Sequence, residues 1–231
     1  MAIYVISDLH LSFGVNKPMD VFGDKWKDYE EKIKNDWLSR VEPEDYVIIA
    51  GDFSWATYLE EAIEDFTFLN NLPGKKILLK GNHDYWWETV TKMNNFLKKH
   101  QFENILFLHN NCIETEETIL CGTRYWAIEE GQPNDKIFHR EIERAKMSLK
   151  EAEKLNQKRL EEGLERKPVI MITHYPPDYL LINSLREYPI KLWLYAHIHS
   201  NYDESKIQIE GIPTYLTSCD YLDFNLMKIV I

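Results

Sequence analysis

Cysteine is scarce in this chain. Three thiols, Cys112, Cys121 and Cys219, stand among 231 residues. An odd number without paired spacing excludes a disulfide framework and points to a reducing compartment. Glycine and proline are also few, nine of each, so long flexible linkers are not expected. No apolar run approaches the roughly 20 residues that cross a bilayer. A strand-like run begins at Ile3, which leaves no room for a secretory leader, so a cytoplasmic protein without a membrane partner is expected. Positive charge is the last deficit: 27 Lys and Arg against 38 Asp and Glu give a net charge of −11. A surface of that sign is poorly suited to holding a nucleic acid polymer by neutralising its phosphates. It leaves room for a small phosphorylated substrate, because bound cations reverse the sign locally.

What is present is a composition with enough apolar material for a core, 44% hydrophobic against 28% charged, read as one domain over 1–231. Six near-continuous apolar runs suit strands covered on both faces. They are Ile3 to Ile6, Tyr46 to Ala50, Lys76 to Leu79, Thr118 to Cys121, Val169 to Ile172 and Leu192 to Tyr195. Helical stripes lie between the first of them: Trp26, Tyr29, Ile33 and Trp37, then Leu59, Ala62, Ile63, Phe66 and Leu69, then Val90, Met93, Phe96 and Leu97. Such aromatic stripes predict core packing. Strands alternating with helices predict an α/β fold with parallel strands. Gly131 to Lys167 is a charged helical insertion, as one long or two shorter helices, with a thin stripe of Ile142, Ala145, Leu149, Ala152 and Leu155. After His199 the chain turns strand-rich, at Ile207 to Ile209, Thr214 to Leu216 and Leu226 to Ile231.

Five polar clusters sit where apolar runs end: Asp8-Leu9-His10, Gly51-Asp52, Gly81-Asn82-His83-Asp84, His174, and His197-Ile198-His199. Any one of them reads as a turn or cap. Five at the carboxyl ends of strands, where open α/β sheets bind ligands, read as a site. Asp8, His10, Asp52, Asn82, His174, His197 and His199 mix imidazole with hard oxygen donors, which suits Mn, Fe or Zn better than Ca or Mg. Seven ligands are too many for one ion with an open position. They serve two ions if a carboxylate is shared, and Asp52 on a central strand is the expected bridge. Two divalent ions, two aspartates and a bridging hydroxide leave one net positive charge facing the substrate. A water-poor centre with metals about 3.5–4 Å apart suits in-line attack of that hydroxide on phosphorus.

These motifs resemble those of the calcineurin-like metallophosphoesterases: D-x-H, G-D, G-N-H-[DE], a lone His and G-H-x-H, in that order from Asp8 to His199. The resemblance implies two packed mixed β-sheets flanked by helices, a four-layer αββα sandwich. It implies one metal on Asp8, His10, Asp52 and His199, and another on Asp52, Asn82, His174 and His197. His83 is then left to bind a phosphate oxygen and protonate the leaving oxygen. Asp84 is expected to orient that imidazole, to cap a helix starting near Tyr85, or both. The activity implied is hydrolysis of a phosphate ester, on a small molecule or a phosphoprotein, with monoester and diester both open. A catalytically silent metal-binding scaffold and a nuclease are the alternatives.

The chain departs from the pattern at Ala196, where the family usually has glycine. If that position needs positive φ, alanine costs on the order of 1 kcal/mol; if it leaves room for a ligand, the methyl group narrows the pocket. Arg124, at the end of the fourth run, is placed to reach a phosphate. Tyr85, Trp86 and Trp87 suit helix–sheet packing better than stacking on a substrate. Lys17, His100, His109 and His139 lie outside the pattern and read as ordinary surface or partly buried residues.

Overall fold

Strands that are apolar on both faces need cover on both faces, and here each of two five-stranded sheets is covered by the other and by helices. The computed structural model describes residues 1–126, 135–199, 209 and 211–231. The first sheet has the order β10 (Met227–Ile229), β1 (Ile3–Val5), β2 (Tyr46–Ile49), β3 (Lys75–Leu79) and β4 (Ile105–Leu108). The second has the order β5 (Asn111–Glu114), β6 (Ile119–Thr123), β7 (Val169–Thr173), β8 (Ile190–Tyr195) and β9 (Thr214–Leu216). β1 to β4 run parallel, as do β6 to β9, while β10 and β5 pair antiparallel to β1 and β6.

Residue alternation along each strand sorts the core into three layers. Tyr4, Val47, Ile49, Leu78 and Phe107 face α1 (Tyr29–Arg40), α2 (Ile63–Asn70) and α3 (Val90–His100). Val5, Ile48, Ile77 and Leu79 meet Leu120, Ile170, Ile172 and Leu194 between the sheets. Cys121, Met171 and Trp193 pack under α4 (Asp135–Glu161) and α5 (Tyr179–Ser184). The architecture is the four-layer αββα sandwich.

The six apolar runs and the three helical stripes all lie on or beside elements of these kinds. The charged segment forms a single helix, α4, whose buried stripe is Ile142, Ala145, Leu149 and Ala152. Residues 131–134 of the expected helix and 207 and 208 of the expected strand lie outside the described residues, while Ile209 forms a lone bridge with Ile212. β4 and β5 add to the expected strands. β5 is half-exposed along its length, so it carries little apolar pattern to read. No described helix is long and apolar enough to cross a membrane.

Candidate metal centre

The loops after β1 and β2 climb side by side, with Asp8 N donating to Gly51 O and His10 N to Asp52 O, both at 3.0 Å. To do so, Asp8, His10 and Asp52 adopt left-handed backbone, at φ 55°, 46° and 52°. Across the gap, His197 does the same at φ 73°. Non-glycine residues in this region are uncommon and strained, and they concentrate where a site over-determines the chain. Gly81 shows how tight the junction is: a Cβ there would lie 2.0 Å from Asp52 Oδ1.

The strained backbone turns the candidate ligands onto one point. Asp8, His10 and His199 offer donor atoms within 4.8 Å of one another, and so do Asp52, His174 and His197. Asn82 joins the second group, with Oδ1 at 2.7 Å from His174 Nε2 and 2.9 Å from His197 Nδ1. Asp52 Oδ2 lies between the groups, 3.8 Å from His10 Nε2 and 3.5 Å from His174 Nε2. The resemblance assigns Asp52 to both ions; here Asp52 stands in the second group, with its Oδ2 3.8 Å from His10 of the first.

Three further residues shape this arrangement. His174 Nδ1 points at Ala50 O at 2.9 Å, which turns Nε2 inward. His199 Nδ1 is 3.0 Å from Asp220 Oδ1, leaving its other nitrogen for the centre. Asp220, buried after β9, belongs to no motif, and sequence reasoning missed it. Asp84 departs from both roles expected of it. Its carboxylate accepts from Gly81 N at 2.7 Å, Asp52 N and Phe53 N at 2.9 Å, Ser54 N at 3.3 Å and Trp86 Nε1 at 3.0 Å. It therefore binds the Asp52 loop rather than the His83 ring. Nor does it cap a helix, because α3 starts at Val90 with Thr89 as its cap.

His83 lies half-buried beside the centre, with its backbone N donating to Asp52 Oδ1 at 2.8 Å. Its ring packs 4.6 Å from that of Trp55 and 5.6 Å from that of His10. All three line a cavity of about 290 Å³, with Met19, Phe22, Trp26, His199 and Asp220 completing the wall. Trp26 thus serves the core and the cavity at once. Trp86 and Trp87 are buried in the core, whereas Tyr85 is exposed. Lys17 is exposed, with its ammonium 5.0 Å from the Trp55 ring centre. Arg124 follows β6 on the other side of the centre, and its carbonyl accepts from His174 N and Tyr175 N at 3.2 Å. Ala196 is buried between the sheets and is not among the residues with positive φ. Its methyl group therefore costs no backbone strain and belongs to the core.

The electrostatics fit a pair of cations. Burial, and then the Asp52 charge, pushes the Asp8 carboxyl up to about 8. Burial also pushes Asp52 up to about 6, and it holds His174 down at about 3 and His197 at about 4. Burial pulls His199 down too, but its hydrogen bond to Asp220 and the surrounding carboxylates outweigh that and raise it. Asp8 Oδ1 and His10 Nδ1 are buried without a hydrogen-bond partner. Buried carboxylates short of positive charge beside neutral imidazoles make a donor set for divalent transition metals.

No curated protein matches the chain. Among solved structures, a protein of unknown function from Aquifex aeolicus is 19% identical, covering 98% of this chain and 95% of its own, with a TM-score of 0.51. Phosphopantetheinyl hydrolase from Mycobacterium tuberculosis is 14% identical, covering 99% and 95%, also with a TM-score of 0.51. At these identities the likeness is one of fold. The sequence model of the calcineurin-like phosphoesterases, a family that binds two metal ions, matches residues 1–201. With that match over most of its length, this chain belongs to the calcineurin-like phosphoesterase family.

Proposed function

We propose that the protein hydrolyses a phosphate ester of a small molecule at a two-metal centre. The observation that carries this reading is the position of Asp52 between two donor groups, with the His83 ring opening onto the adjoining cavity. Asp8, His10, Asp52 and His199 would hold one ion, and Asp52, Asn82, His174 and His197 the other. Bound there, divalent ions such as Mn, Fe or Zn would neutralise phosphoryl charge and lower the pKa of water. Left-handed backbone at Asp8, His10 and Asp52 fixes where the donors point, so little reorganises during reaction.

Water adds to phosphorus as the ester P–O bond breaks, and the departing oxygen takes a proton from His83. The proton lost by the attacking water goes to solvent and His83 regains one from it, so a monoester gives an alcohol and phosphate, a diester an alcohol and a phosphate monoester, and no other reactant is required. The cavity walled by Met19, Trp26 and Trp55 receives the alcohol portion. Three free thiols favour a reducing compartment for this chemistry.

His83→Ala is expected to leave metal content unchanged and to lower turnover of an alkyl phosphate by on the order of 10²–10⁴-fold. Turnover of p-nitrophenyl phosphate, whose leaving group needs no proton, should fall far less. Equal losses on both substrates would overturn the proton-donor role. Protein loaded with Mn²⁺, Fe²⁺ or Zn²⁺ that hydrolyses no phosphate ester at all would overturn the enzymatic reading and favour a silent scaffold.

A further inference from the structure

In a protein of net charge −11, cations brought together with few carboxylates among the described residues beside them call for an explanation. Such a group forms beside the metal centre, on the side away from the cavity. Lys80, His109 and Arg124 each directly follow a strand, β3, β4 and β6 respectively. Leu79 pairs with Leu108, so Lys80 and His109 leave neighbouring strands at the same level. Thr123 pairs with Thr173, so Arg124 leaves β6 beside His174, about one strand spacing of 4.8 Å away.

Gly122 brings the two sheets together at this corner. A Cβ on Gly122 would come within 2.4 Å of Leu108 Cδ2 and 2.6 Å of Leu79 Cδ1, so the residues just beyond them converge. Arg144 is delivered to the same corner by α4. Ser148, one turn further along the same helix face, accepts from Gly122 N at 2.9 Å and donates to Asn111 O at 2.5 Å.

Lys80, His109, Arg124 and Arg144 are all half-buried. Burial pulls His109 toward its neutral form, and the charges of Arg144, Lys80 and Arg124 add to it. The carboxylates within reach among the described residues do not balance them. Glu141 is shared between Arg144 at 2.6 Å and Arg140 at 3.3 Å, and Asp84 is taken up by five N–H donors. Holding three permanent or near-permanent cations together costs stability unless an anion joins them. Guanidinium groups also match phosphate oxygens geometrically.

We propose that Lys80, Arg124 and Arg144, with His109, form an anion subsite that takes a second phosphate group of the substrate while the first lies at the metals. This rests on the phosphoesterase reading above and narrows its substrate class. Arg124 leaves its strand next to the candidate ligand His174, so the subsite adjoins the centre, and the second phosphate is joined to the first through an anhydride oxygen or carried elsewhere on the alcohol. The experiment separates these two sources.

With Mn²⁺-loaded protein, kcat/KM is compared within two pairs, ADP against AMP and fructose 1,6-bisphosphate against fructose 6-phosphate. At least one doubly phosphorylated member should be preferred by about tenfold or more, and the pair that shows the preference identifies the linkage. Arg144→Gln and Lys80→Gln should each reduce that preference by on the order of tenfold, while Arg144→Lys, which keeps the charge, should retain most of it. A single cooperative melting transition shows that each variant is folded. Equal rates within both pairs, or a preference that survives both glutamine variants, overturns the subsite and leaves the phosphoesterase reading standing. No turnover of any ester removes both.

Discussion

The two sheets build their shares of the centre by different means. The first sheet delivers Asp8, His10, Asp52 and Asn82 through loops in which three of the four residues are left-handed, and one buried carboxylate, that of Asp84, ties the loops together. The second sheet delivers three imidazoles, and here side-chain partners do most of the aiming. Ala50 O orients His174 and Asp220 orients His199, and of the three imidazoles His197 is the one in left-handed backbone. A short side chain reaches the centre only where its backbone brings it, and hydrogen bonds such as His83 N to Asp52 Oδ1 then set its angle. An imidazole can be turned by a hydrogen bond to its far nitrogen. The contrast predicts that lesions in the first sheet propagate, whereas lesions in the second stay local.

Asp84→Ala tests the propagating half and should have the largest effect. It orphans several buried N–H groups, four of them on the backbone around Asp52 and Gly81. At about 1 kcal/mol or more for each donor that water does not reach, a loss of about 3 kcal/mol or more is expected in urea unfolding. Because Asp52 is shared, both metal equivalents should weaken together in a titration. Unchanged affinity at either site would show that the Asp52 loop holds its shape without Asp84.

Asp220→Ala tests the local half. Removing an outer hydrogen-bond partner of a metal-binding histidine typically weakens binding by about 10–100-fold. Only the ion proposed to bind Asp8, His10 and His199 should be affected, so a titration should split into one parent-like and one weakened equivalent. If both equivalents weaken alike, the second sheet is as coupled as the first and the contrast fails.

How much of this was legible in the sequence follows the same divide. The seven candidate ligands stand out because their donor types recur where apolar runs end; the order of the runs gives an α/β fold with parallel strands, and the family resemblance implies the two-sheet sandwich. Asp84 is visible as a motif member, yet its role is not, since three of the five N–H groups it binds lie some 30 positions earlier in the chain. Asp220 was invisible because its partner is a side chain 21 residues away with no spacing rule to mark it. Lys80, His109 and Arg144 look like ordinary polar residues until strand register and one helix face bring them to a common corner. Chemistry carried by residue type could be read early. Chemistry carried by juxtaposition needed the fold.

The smallest effect is expected at Ala196, where the strand-end backbone of the second sheet meets the inter-sheet core. Glycine there would be justified by positive φ or by crowding. Neither holds, since Ala196 is absent from the positive-φ residues and its side chain belongs to the cluster of Ala50, Ile172 and Leu194. Its backbone N donates to His174 O at 3.0 Å, so the bond that fixes β8 beside His174 survives replacement. Ala196→Gly should therefore lose one buried methyl group, about 0.8 kcal/mol, and gain the chain entropy of glycine, about 0.5–1 kcal/mol. The expected result is a destabilisation of about 1–2 kcal/mol in urea, with metal affinity and turnover unchanged. A gain in stability or in metal affinity would mean that the methyl group strains the His197 turn next to it, and that this sheet too aims its ligands through its backbone.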